Sequence, residues 1–141
     1  MPVQKILNMR IDIVDDELIV LKTLESFLND LGHQVQTFSS VSELLGASAG
    51  KGLPVHVILV DTNLAHGRGG EVIRDIHRHY PEADLVIMSG HNSILPLKEA
   101  LAQGVYGYLN KPIRLGELEL LLIRLSESRA NLKSRSGTTK D

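Results

Sequence analysis

Short unbroken apolar runs alternate along this chain with apolar residues set at helical spacing. Met9 to Val14 reads as a strand. Leu18, Leu21, Leu24, Phe27, Leu28 and Leu31 then recur with helical period inside Glu17 to Leu31, and Gly32 stands where a glycine C-cap would end that helix. Gln34 to Phe38 alternates polar and apolar, as a half-exposed strand does. Ser40 with Glu43 forms a capping-box pattern that opens a short helix through about Ala49, and the glycine-rich GASAGKG overlaps its end.

Val55 to Val60 and Leu85 to Met88 are nearly continuous apolar runs, the pattern of parallel strands covered on both faces. Between them, Val72, Ile73, Ile76 and Tyr80 predict a helix over Glu71 to Tyr80. Beyond them come a helix at Ile94 to Ala102, a strand at Val105 to Leu109 and a helix from Leu115 onward. Five βα units result. Strict alternation predicts an α/β fold, a doubly wound parallel sheet with helices on both faces, and such sheets bind ligands at the carboxyl ends of their strands.

At 141 residues, with 43% hydrophobic and 23% charged side chains, the chain suits one domain with its own core. We expect that body over residues 1–127 and a polar tail or the start of a linker over 128–141. A net charge of −2 gives no reason to expect nucleic-acid or anionic-membrane binding. The absence of cysteine excludes a disulfide framework, a thiolate zinc site and a cysteine nucleophile. The first residues become charged before an apolar stretch long enough for a signal peptide or membrane span accumulates, so a cytoplasmic protein is expected.

The candidate chemistry sits at predicted strand ends: Asp15 and Asp16 end the first, Asp61 ends the third, Ser89 ends the fourth and Lys111 follows the fifth. Any one of them alone has an ordinary reading as a solvated charge, a turn former or a helix cap. Their convergence on one sheet edge changes that. Three carboxylates held together repel by a few kcal/mol per close pair at an intermediate dielectric, roughly, so a cation should share the site. Mg²⁺ suits it, being a hard ion that takes one or two carboxylates together with phosphate oxygens. Lys111 adds a movable positive charge and Ser89 a hydroxyl donor for the same oxygens, which makes this a site for handling a phosphoryl group.

With IDIVDDE, VILVDTNL, VIMSG and GVYGYLNKPI in this order, the chain resembles the receiver domains of bacterial two-component response regulators over about Lys5 to Glu127. The resemblance implies a flavodoxin-like (βα)5 sheet of order 2-1-3-4-5. It implies that Asp61 is the phosphoacceptor, that Asp16 and the backbone carbonyl of Asn63 bind Mg²⁺ with Asp15 nearby or acting through water, and that Ser89 and Lys111 contact the phosphoryl oxygens. Tyr108 falls at the family's switch aromatic, and the bond before Pro112 at a position that is commonly cis. The implied partner is a sensor histidine kinase or a phosphotransfer protein. One departure is Leu64-Ala65 followed by HGRGG, where receivers often carry Met-Pro.

On the last helix, Leu115, Leu118, Leu121, Leu122 and Leu125 share a core face while Leu120 and Ile123 fall outside it. They are candidates for a homodimer interface on the face made by the helix from Ile94, the strand with Tyr108 and the final helix, a face that family members commonly use. The remaining signals are weaker. Gly46 to Lys51 fails the P-loop pattern in spacing and placement, His77 and His79 do not share a helix face for zinc, and His66 and His91 have no identifiable partner. Two rival functions stand beside the switch. One is an aspartyl-phosphate phosphohydrolase, although Asn63 occupies the place where such enzymes use a second aspartate; the other is an unphosphorylated receiver-like adaptor.

Overall fold

The structure is a computed structural model that describes residues 8–47, 54–61, 69–90, 102 and 104–138. Five strands, β1 Arg10–Val14, β2 Gln34–Phe38, β3 Val57–Asp61, β4 Asp84–Ser89 and β5 Gly107–Asn110, pair in parallel in the order β2-β1-β3-β4-β5. The described helices are α1 Leu18–Asp30, α2 Val41–Ala47, α3 Gly69–His79 and α4 Leu115–Thr138. This is the flavodoxin-like arrangement, with β1 and β3 adjacent at the point where strand order reverses.

Side-chain alternation divides the core into two layers. Ile11, Ile13, Val57, Leu59, Val86 and Met88 face α1 and α4, packing against Leu21, Leu24, Leu28, Leu118, Leu122 and Leu125. Val14, Ile58, Val60, Leu85 and Ile87 face α2 and α3, against Leu44, Ile73 and Ile76. The continuous apolar runs of β3 and β4 are thus used on both faces, whereas edge strand β2 is only half covered.

Helix ends follow local chemistry. α1 stops at Leu31 because Gly32 takes φ +98°, which lets the N–H groups of Gly32 and His33 reach back to the carbonyls of Asn29 and Leu28. At α2, the Glu43 N–H donates to Ser40 Oγ at 3.1 Å, while the Glu43 carboxylate accepts from the N–H and hydroxyl of Ser39. The return half of the capping box therefore goes one residue earlier than the pattern predicts.

Several boundaries differ from those read in the sequence. β3 begins at Val57, because Val55 and His56 precede the parallel ladder, and ends at Asp61 as expected, paired with Met88. α3 begins at Gly69, two residues before Glu71, and β5 at Gly107, two after Val105. α4 runs unbroken to Thr138. The Arg129 guanidinium fastens it to the amino edge of the sheet, donating to Asp84 Oδ2 at 3.0 Å and to the carbonyls of His56 and Glu82. The helix predicted from Ile94 lies outside the described residues except for Ala102, which is helical.

Candidate functional site

Parallel pairing carries three chain segments to one edge and fixes where each turns. The Asp15 N–H donates to the carbonyl of Phe38 at 3.1 Å, continuing the β1 ladder one residue past the strand. The Lys111 N–H donates in the same way to Ser89, beyond β5. Asp61 is the last residue of β3. Asp15, Asp61 and Lys111 thus lie where β1, β3 and β5 end, at one carboxyl edge, with β4 between the last two.

Asp15 and Asp61 are buried at 0% and 1% exposure, while Asp16 and Glu17 are exposed. Asp15 Oδ1 accepts the N–H of Glu17 at 2.9 Å, an Asx-type turn that starts α1, whose N-cap Glu17 makes no side-chain cap bond. Lys111 Nζ stands among three carboxylates: 2.7 Å from Asp15 Oδ2, 2.9 Å from Asp61 Oδ2 and 3.2 Å from Glu17 Oε1. The contacts with Asp61 and Glu17 are hydrogen bonds. The approach to Asp15 is a charge contact, since Asp15 Oδ2 is buried and accepts no hydrogen bond of good geometry.

The electrostatics follow from this enclosure. Burial raises the Asp15 carboxyl above the ordinary aspartate value, against the Lys111 ammonium and the Glu17 N–H that favour its charged form; the Asp61 charge beside it raises it further. Burial alone would lower the Lys111 ammonium, but Asp15 and Asp61 together hold it well above its ordinary value, so it stays charged.

Carboxylate oxygens of Asp15, Asp16, Glu17 and Asp61 lie within 4.8 Å of one another, close enough to hold a metal ion. A hard divalent cation fits this donor set: it is all oxygen, and Asp15 Oδ2 is a buried acceptor without a hydrogen bond. Glu17 was not among the site residues read from the sequence. Its only signal there was its position directly after the acidic pair in IDIVDDE.

Of the other predicted residues, Ser89 is buried at the end of β4, its hydroxyl donating to the carbonyl of Gly90 at 3.2 Å. Tyr108 is half-buried on β5 and packs against the α2/α3 layer. The Lys111–Pro112 bond is cis. Leu120 is exposed, Ile123 half-buried, and Leu121 of the predicted core face packs at its margin against Gly107, where a Cβ would approach the leucine to 2.9 Å. Asn63, His66 and His91 lie outside the described residues. Among the described residues no helix is long and apolar enough to cross a membrane.

Known proteins are similar to this chain in sequence and fold. The chain is 28% identical over 116 residues to the photosynthetic apparatus regulatory protein RegA of Cereibacter sphaeroides, covering 82% of this chain and 62% of that protein. It is 30% identical over 117 residues to a putative NtrX-like response regulator of Rickettsia bellii, covering 82% and 24%. The crystal structure of NtrX from Brucella abortus superposes with a TM-score of 0.82 at 26% identity, over 95% of this chain and 30% of that one. The chain therefore spans less than two thirds of these relatives. The family model of the response regulator receiver domain matches residues 11–123, and the chain belongs to that family of signalling domains.

Proposed function

We propose that this receiver domain accepts a phosphoryl group on Asp61 in a Mg²⁺-dependent reaction with a histidine kinase or phosphotransfer protein, and that the modification biases its conformation. The observation that supports this most is the short ion pair between Lys111 Nζ and Asp61 Oδ2, 2.9 Å, inside a cluster of four carboxylates at the carboxyl edge of the sheet. A carboxylate oxygen of Asp61 forms the new P–O bond as the bond between phosphorus and the donor's imidazole nitrogen breaks; with an acyl phosphate, a P–O bond breaks instead. Asp15, Asp16 and Asp61, with the backbone carbonyl of Asn63, would hold the Mg²⁺. When bound, the ion supplies positive charge against the transferred oxygens, the main help that phosphoryl transfer needs from a protein. Lys111 supplies a second charge to them, and Ser89 a hydroxyl that turns from the Gly90 carbonyl toward the new group. Tyr108 follows into the space that Ser89 vacates.

Mass spectrometry after incubation with acetyl phosphate and Mg²⁺ tests this against its rivals. The switch predicts a stable species heavier by one phosphoryl group. Sustained release of phosphate without that species would favour a phosphohydrolase, and an unchanged mass would favour an adaptor.

A further inference from the structure

An ammonium group has three N–H donors, and in this site all three sides of Lys111 Nζ face carboxylate oxygens. The three partners are not equivalent. Asp15 and Asp61 are buried, whereas the Glu17 side chain is 57% exposed and makes the longest contact, 3.2 Å. Glu17 and Lys111 also line one open, largely apolar cleft of about 550 Å³ between the start of α1 and the Pro112–Ile113 segment. A Glu17 carboxylate that lets go is immediately hydrated there, while Asp15 or Asp61 would leave a buried charge without its partner.

Resting on the phosphoacceptor reading, we propose that Glu17 is a positioning residue: it occupies the outward hydrogen-bonding direction of Lys111 and yields it to an incoming phosphoryl oxygen. In the unmodified protein Glu17 holds the ammonium at the rim, beside Asp61. Each anionic ligand that enters must break this contact before Lys111 can serve it. Glu17 thereby sets the threshold for occupancy of the site, and its removal eases anion binding. Because Glu17 makes no side-chain cap bond to α1, its replacement leaves the helix start intact.

The test titrates beryllofluoride, in Mg²⁺, into wild type and variants and follows the bound fluorine resonances by NMR. Glu17→Gln should lower the half-saturating concentration about two- to fivefold, the range for losing one exposed ion pair. Glu17→Asp keeps the charge on a shorter arm and should lower it too. Glu117→Gln removes the same charge from a residue near Lys111 that makes no ion pair with it, and should match wild type. In metal-free protein, the Lys111 ammonium nitrogen resonance should shift in both Glu17 variants and hold in Glu117→Gln. Unchanged binding in Glu17→Gln, a wild-type midpoint in Glu17→Asp, or equal tightening in Glu117→Gln overturns the proposal. If wild type binds while Asp61→Asn does not, such a failure falls on Glu17 alone; no binding by wild type overturns the phosphoacceptor reading and this proposal together.

Discussion

Asp12 sits in the middle of β1, 1% exposed, on the sheet face otherwise given to Val14, Ile58 and Val60. Its Oδ1 accepts no hydrogen bond and lies 3.9 Å from the Arg10 guanidinium. Burial pushes its carboxyl up to about 6, against the pull of Arg10. A carboxyl raised on folding is no burden below its unfolded value of 3.8, where both states are protonated. As pH climbs from there through 6, the unfolded chain ionises first and stability is lost. Asp12→Asn should therefore stabilise the domain at pH 7.5 by roughly 1–3 kcal/mol, with the gain shrinking as pH falls toward 4. Urea denaturation of both proteins across this range checks it. A difference that stays constant with pH would mean that Asp12 does not titrate as its burial implies. His33 is a second buried polar residue in the core, its ring nitrogen accepting the N–H of Met9 and its protonation disfavoured by burial.

At the scale of elements, apolar patterning located every described strand and helix except α2, which its capping box located, since two-sided burial of β3 and β4 and one-sided burial of α1 leave unmistakable apolar patterns. It misplaced ends where the decisive interaction is not apolar. β3 starts two residues later than its apolar run, because Val55 and His56 precede the parallel ladder. The polar stretch after Leu125 carries no core periodicity, and α4 nevertheless crosses it with Ser126 buried and Arg129 bonded to two loop carbonyls and Asp84. Such anchors depend on carbonyls from distant segments, which no local pattern encodes. The same holds in the site. Asp15, Asp61 and Lys111 were legible because strand order brings strand ends together, whereas Glu17 joins them through a side chain reaching back from a helix cap.

Across the whole molecule, the acidic carboxyl edge and the surface of β5 and α4 are two separate regions, joined through Lys111 directly after β5. On the β5 and α4 surface, Leu120 and Tyr106 are exposed beside Leu121 and Arg124 around one shallow cavity, with Ile123 half-buried on the same helix. Differential affinity of about 1–3 kcal/mol between two conformers would suffice to couple the two regions. Analytical ultracentrifugation should accordingly show beryllofluoride and Mg²⁺ promoting a dimer of wild type, and Leu120→Glu with Ile123→Glu should abolish it. Identical sedimentation of the two proteins would remove these residues from any interface. The central claim, that Asp61 is the phosphoacceptor, is tested most directly by locating the modification itself. Borohydride reduction of protein treated with acetyl phosphate and Mg²⁺ converts an aspartyl phosphate to homoserine, which peptide mass spectrometry then maps. The account predicts homoserine at position 61, absent when Mg²⁺ is chelated; homoserine at Asp15 or Asp16, or none at all, would contradict it.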